Sequence, residues 1–394
     1  MKPLKAIALI LLLMLGAVTE ASAQRGLHIY QPENPAEPLF TIADSVVLFS
    51  PGDAGSKFYR IPAICTTNTG TLIVAADKRW HHNGDLPADI DVVTRRSTDG
   101  GKTWEPAITV AGADTDTEVG YGDPAIVFDF VRNTAICIFT HGNGLFQSTP
   151  DNNAHIIISK STDDGKSWSA PIDINDQLFA GHPEWVTSFA GSGHACQMRN
   201  GRLLFVIQVR PDTSSYGPLS CYACYSDDGG DTWHASKVPG DYNGDESKIV
   251  ELSDGRLMMS IRRRYEGYHR RFSFSDDGGE TWSETITGTQ MLDPACNGDV
   301  INYSYGKNKD ILIHTIPYHS RLRKNVSLLV SFDDGKTWPW HQAVVPTGSA
   351  YSSITQLADG TLGCVVERNS PLNNGGFDLV YYHLIPSNVI CNKK

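Results

Sequence analysis

The sequence predicts an all-β protein, a six-bladed β-propeller, and three observations lead to it. First, the pattern Ser-x-Asp-x-Gly-x-(Thr/Ser)-Trp occurs five times, at 97–104 (STDGGKTW), 161–168 (STDDGKSW), 226–233 (SDDGGDTW), 275–282 (SDDGGETW) and 331–338 (SFDDGKTW). Second, each copy follows a short strand-like run, at 91–95, 155–159, 222–225, 271–274 and 326–330, and no long helical period appears past the N-terminus. Third, the boxes start 64, 65, 49 and 56 residues apart, so the 371 residues after position 23 hold about six such units. Five boxes leave one unit unmarked. That unit combines the segment after Pro346 with a first strand near 41–49 and closes the ring. A propeller divides its core between blades, which lets one domain exceed the ~250–300 residues at which a single core stops growing.

In chain order the N-terminus comes first. Lys2 and Lys5 precede the apolar run 6–18, and Ala21-Ser22-Ala23 fits the small-residue pattern before a signal-peptidase cut. The run is too short for a bilayer span, which takes about 20 residues. Residues 1–23 therefore read as a signal peptide and 24–394 as one propeller domain, exported to the periplasm or out of the cell, with no membrane span left in the mature chain. Formal net charge is −11, from 33 Lys and Arg against 44 Asp and Glu. That balance disfavours nucleic acid and anionic membranes as partners. An anionic substrate would need its basic residues gathered locally.

The boxes come next. Their Asp and Gly build a tight turn, the Ser and Asp side chains bond nearby amides, and the Trp is expected to pack back on its own hairpin. They lack the alternating ligands and terminal Glu of a calcium loop, so they read as structural turns. A second hairpin signal recurs at Thr69-Gly70, Asn200-Gly201, Asp254-Gly255 and Asp359-Gly360, each opening onto an apolar strand. The eight cysteines are an even number in an exported chain, which permits disulfides, but they are scattered. Cys65, Cys137 and Cys364 lie in apolar runs and read as buried thiols. Cys221-x-x-Cys224 lacks the second pair of a zinc site.

Four further segments stand out: FYRIP at 58–62, ESKIVELSDGRLMMSIR at 246–262, Arg323-Lys324-Asn325 ahead of the last box, and AYSSITQLADGTLGCVVER at 350–368. In this order and spacing, together with the boxes, they resemble the bacterial exo-α-sialidases (neuraminidases) with Asp-box repeats. The resemblance covers nearly the whole chain past the signal peptide. It implies a six-bladed propeller that releases terminal sialic acid from sialylated glycoconjugates without a metal or other cofactor. The added carbohydrate-binding domain of many relatives would find no room here.

Carried over by position, the resemblance assigns Arg60, Arg262 and Arg323 to a triad that holds the sialic acid carboxylate. Charge-assisted, partly bidentate guanidinium bonds suit that group. Arg321 competes with Arg323 for the third place. Tyr351 falls on the nucleophile and Glu246 on the base that activates it. A neutral phenol avoids the repulsion that a carboxylate would meet beside the substrate's own carboxylate, but its pKa of about 10 makes a base necessary. Asp85 falls on the acid/base, in the loop His81-His82-Asn83-Gly84-Asp85-Leu86-Pro87, with Asp89 and Asp91 as rivals. Glu367 falls on the carboxylate that orients Arg60. Arg79, one residue off the usual spacing, and Asp123 are implied at the sugar's 4-hydroxyl. The segment 191–197 is expected in the site wall, where His194 and Cys196 depart from the commoner small and apolar residues. Two other readings remain: a trans-sialidase, including an intramolecular one, and a non-catalytic propeller that binds sialoglycans.

Overall fold

Alternation of apolar runs with Gly-centred turns folds this chain into antiparallel strands. A computed structural model describes residues 37–112, 119–211, 218–264, 268–306, 308–373 and 375–391, so the signal-peptide reading of 1–23 falls outside the described residues. Within them the only helices are the short Asn175–Phe179 and Asn388–Cys391 and one 3-10 turn. None is long and apolar enough to cross a membrane. The protein is all-β, as expected.

The strands form meanders. The first runs Phe58–Thr66, Leu72–Arg79, Ile90–Ser97 and Ile108–Ala111. The second runs Tyr121–Asp129, Thr134–Gly142, Ala154–Ser161 and Ile172–Asp173, the fourth Ser247–Glu251, Leu257–Ile261, Tyr268–Ser275 and Ile286–Asp293. Between them, the third has a broken inner edge. Thr187–Ala190 and Cys196–Gln197 both pair with Leu203–Arg210, while Gly193–His194 pairs in parallel with the second meander. The last sheet has seven strands, because the 17-residue strand Trp340–Gln356 serves it twice. Its 340–348 half pairs with Lys324–Ser331 and its 349–356 half with Leu362–Asn369. At the far edge Phe40–Phe49 pairs with Phe377–Pro386, so the first described strand is bonded to the last. This is the junction the sequence predicts between 41–49 and the segment after Pro346.

Every box occupies the turn between the third and fourth strands of a meander. In the first, Ser97 Oγ donates to Asp99 at 2.8 Å and accepts the Gly101 amide at 2.9 Å, while the Thr103 hydroxyl donates to Asp99. The same bonds recur around Ser161, Ser226, Ser275 and Ser331. Trp104, Trp282 and Trp338 each donate Nε1 to the box glycine carbonyl of their own turn, as expected, but the tryptophans also do more. They reach the preceding sheet rather than packing only on their own hairpin. Trp104 meets Tyr381 edge-on at 5.2 Å, Trp168 Nε1 donates to Thr94 at 3.1 Å, and Trp338 stacks with Phe272 at 6.2 Å. The second box glycine makes that approach possible. A Cβ on Gly101 would lie 2.2 Å from Tyr381, and Gly101 holds φ +88, which only glycine adopts freely. These three Trp each fasten two sheets, and truncating a buried one costs ~3–5 kcal/mol.

The core is correspondingly layered. Ala63, Ile73 and Ala75 of the first meander pack against Ile126, Phe128 and Cys137 of the second. Further layers follow in chain order, and the last joins Val365, Leu379 and Tyr381 to Ile64, Leu72 and Val74 of the first. Cys65, Cys137, Cys196, Cys221, Cys224, Cys296 and Cys364 are free and buried.

Candidate active site

The first residues of the inner strands surround a cavity of about 460 Å³, lined by Arg60, Asp85, Asp123, Glu246, Arg262, Arg323 and Tyr351 among others. Bulges in these strands redirect side chains. Pairing with the neighbouring strand breaks between Arg60 and Ala63, between Gly122 and Ala125, and between Ser349 and Ser352. Ile61 and Asp123 sit at the first two breaks with φ +59 and +58, uncommon for residues with a Cβ. Glu246 and Arg262 need no bulge. The pair Ser247–Ile261 closes the register of their hairpin, and one step further out the two residues face each other.

At the centre lies Tyr351, buried and beside Glu246 and Arg262. Arg262 Nη1 touches the Glu246 carboxylate and lies 3.0 Å from the Tyr351 hydroxyl. Arg60 and Arg323 lie 5.2 and 5.5 Å from the Tyr351 ring centre. Three guanidiniums therefore gather around one phenol. Burial and the Glu246 charge push the Tyr351 hydroxyl well above its ordinary pKa, against the pull of Arg262 and Arg323. For Glu246 burial also opposes the charge. Arg262, Lys248, the Tyr351 hydroxyl and Arg323 outweigh it and hold the carboxyl below its ordinary value. The pair thus rests as neutral phenol and ionised carboxylate, the state a base-activated oxygen nucleophile requires.

Glu367, fully buried, fixes two members at once. It accepts Arg60 Nε at 2.7 Å and Nη2 at 3.1 Å, and the backbone amides of Ile61 and Tyr351 at 2.9 and 3.1 Å. Arg323 is exposed and has no carboxylate partner among the described residues. Its one side-chain hydrogen bond goes to the Ala295 carbonyl at 3.4 Å, which leaves donors for a ligand. Its rival Arg321 instead lies over Tyr268 and is not in the cavity wall.

Opposite this group stands an acidic cluster. The Asp85 side chain is 67% exposed, with one oxygen 2.9 Å from Arg79 Nη2. Partial desolvation at the cavity opposes its charge, yet Arg79, Arg60 and Arg262 hold the carboxyl below its usual range. Its rivals point elsewhere. Asp89 pairs with His81 at 3.1 Å and Asp91 accepts Trp80 Nε1 at 3.0 Å, and neither lines the cavity. Asp123 does, and its Oδ2 has no hydrogen-bond partner among the described residues. Burial and the charges of Asp77 and Asp85 push the Asp123 carboxyl well up.

The structure moves two expectations. Arg79 is fully buried behind Asp85 and absent from the cavity wall, with its donors on Asp77, the Asn83 carbonyl and Asp85. His194 and Cys196 line a different cavity of about 630 Å³ at the far ends of the inner strands, and only Ser192 of that segment reaches Glu246, at 3.3 Å. Sequence reasoning also passed over Asp77 and Lys248. Each lies two residues from a named site residue, Asp77 from Arg79 within one strand and Lys248 from Glu246 at the start of its strand, and period two places such residues on one face.

The chain matches the model of the BNR repeat-like domain over residues 70–364. It is 33% identical to a sialidase of Bacteroides fragilis over 340 residues, covering 81% of this chain and 61% of that protein. It is 31% identical to a sialidase of Micromonospora viridifaciens over 394 residues, covering 96% of this chain and 60% of that one. The chain therefore spans about three fifths of the length of these curated relatives. Among solved structures, a Hadza microbial sialidase superposes with a TM-score of 0.78 at 28% identity, covering 88% of this chain and 69% of the other.

Proposed function

We propose, for a chain that belongs to the BNR repeat-like domain family, that it acts as an exported, retaining exo-α-sialidase on sialylated glycoconjugates. One observation carries the reading: a buried phenol ringed by Arg60, Arg262 and Arg323, with a buried carboxylate on the same guanidinium nitrogen. The inner strands touch in chain order and Trp340–Gln356 touches Phe58–Thr66, which supports six blades in one domain, the seven-stranded sheet counting as two.

The substrate carboxylate takes the three guanidiniums. Glu246 accepts the phenol proton as the Tyr351 oxygen bonds to the anomeric carbon, and Asp85 protonates the departing oxygen. Water enters on the second step, Asp85 accepts its proton, and the carbon–Tyr351 bond breaks with the proton returned through Glu246. Two displacements at one carbon restore its configuration, as the handling of a covalent glycosyl intermediate requires; the tyrosine nucleophile is the known exception to paired carboxylates. Arg79 holds Asp85 in place instead of meeting the sugar, and Asp123 in the cavity wall meets a sugar hydroxyl. Glu367 keeps Arg60 and the Tyr351 backbone in register.

Arg323→Ala is expected to weaken binding of the unsaturated sialic acid analogue by ~1.5–3 kcal/mol, the worth of one charged hydrogen bond. Calorimetric titration with unchanged affinity would remove Arg323 from the triad. No cofactor enters these steps, and among the described residues no three His, Cys, Asp or Glu side chains are grouped to hold a metal. Exhaustive chelation should leave turnover intact; loss restored by one metal would overturn that part. The reading as a whole is tested by NMR of a defined sialoside during turnover. It expects free sialic acid, released first as the α-anomer. Transfer to an acceptor or an anhydro sugar would replace it with a trans-sialidase, and an unchanged substrate with a binding module.

A further inference from the structure

Beneath Glu246 lies a cation that the proposed reaction does not use. Lys248 is 1% exposed, on the same face of its strand as Glu246. A lysine is rarely buried without a carboxylate partner, because desolvating its charge costs several kcal/mol. Here Nζ donates to Asn297 Oδ1 at 2.8 Å and, more weakly, to the Ser247 carbonyl at 3.4 Å. The Asn297 amide donates in turn to Ser192 Oγ and its carbonyl, both at 3.1 Å. Ser192 Oγ then donates to Glu246 Oε1 at 3.3 Å. An unbroken polar chain joins the buried ammonium to the carboxylate oxygen that faces away from Arg262. Gly193, at φ +108, keeps room for it: a Cβ there would lie 2.9 Å from Lys248 Cε.

We infer that Lys248 is a positioning residue that keeps Glu246 a carboxylate beside Tyr351, by its charge and through Asn297 and Ser192. The inference deepens the sialidase reading. Arg262 and Arg323 also favour the Glu246 charge, but both face the cavity, and a bound anion will claim much of their field. Lys248 is shielded from substrate and keeps acting once the site is filled. Around it stand Asp299 and Glu246, which favour its charge, and Arg270 and Arg262, which oppose it, with His194 and His314 nearby. Burial dominates and pulls the ammonium down to about 8. The sign follows. Lys248 supports the Glu246 charge below that pH and stops doing so above it.

Lys248→Gln keeps a donor for Asn297 and removes the charge. On an activated aryl sialoside, the wild-type to variant ratio of kcat/KM is expected to be about tenfold at acid pH, where Glu246 of the variant is protonated, and to fall towards one once the pH is high enough to ionise Glu246 in both proteins. A ratio independent of pH, or one that grows with pH, would mean a structural role and overturn the inference. Lys248→Met, an apolar side chain of similar length, gives the same test should the Gln variant fold poorly. This arm rests on the sialidase reading. A second arm does not: carboxyl-13C glutamate labelling of the whole chain, with the Glu246 resonance identified by its loss in Glu246→Gln. Its titration midpoint should move to higher pH in either Lys248 variant. A midpoint that stays put overturns the inference whether or not the chain cleaves sialosides.

Discussion

Tyr351→Phe is expected to lower kcat at least ~10³-fold, with affinity for the unsaturated sialic acid analogue changed little. The phenol makes the bond that splits one difficult displacement into two, so its oxygen contributes to the transition state and not to holding the carboxylate. Arg60, Arg262 and Arg323 stay in place without it, because Glu367 fixes Arg60 and the Glu246 carboxylate holds Arg262. Steady-state kinetics with calorimetric binding separates the two quantities. Equal loss of binding and turnover would make Tyr351 a wall residue. Glu246→Gln should share the kcat loss, since the phenol is pushed above its ordinary value and will not ionise unaided at neutral pH.

Asp85→Ala should fail selectively. A natural sialoside departs as a sugar alkoxide that needs a proton, whereas an acidic phenol leaves almost unaided. General acid assistance is worth ~10²–10⁴-fold, so the variant should lose that factor on sialyllactose and much less on an activated aryl sialoside. Some loss on both is expected, because release of the sugar from Tyr351 also needs a base. Equal loss on both, with folding intact, would remove the acid role from Asp85. The electrostatics add a pH signature. Arg79, Arg60 and Arg262 keep Asp85 ionised in the free protein, and a substrate carboxylate neutralises two of those three cations. Binding thus raises the affinity of Asp85 for its proton. Since kcat/KM reports the free enzyme and kcat the complex, the alkaline fall on sialyllactose should come at higher pH in kcat than in kcat/KM. Coincident limbs would contradict this coupling.

Much of this was legible in the residues. The boxes announced the meanders because their Ser, Asp and Gly satisfy one another locally, through bonds that need no distant partner. The pairing of Phe40–Phe49 with Phe377–Pro386 was readable from the one unmarked repeat. What the tryptophans touch was not, because a box records its own turn and not the neighbouring sheet. At the site, Arg60, Glu246, Arg262, Arg323, Tyr351 and Glu367 converge where motif order placed them. Arg79 lies behind Asp85 rather than in the cavity wall for a physical reason. The sequence shows a cation near the loop, but only the packing of Asp77 behind it and Asp85 in front shows its donors to be taken. Lys248 was overlooked because a lysine in a strand ordinarily points to solvent.

The central claim is that the sugar is carried on the Tyr351 oxygen. A fluorinated sialosyl donor slows release of a covalent intermediate enough to trap it, and peptide mass spectrometry of the digested protein locates the added mass. The account predicts an adduct on the peptide containing Tyr351, absent from Tyr351→Phe. An adduct on Asp85 or Glu246 would contradict it.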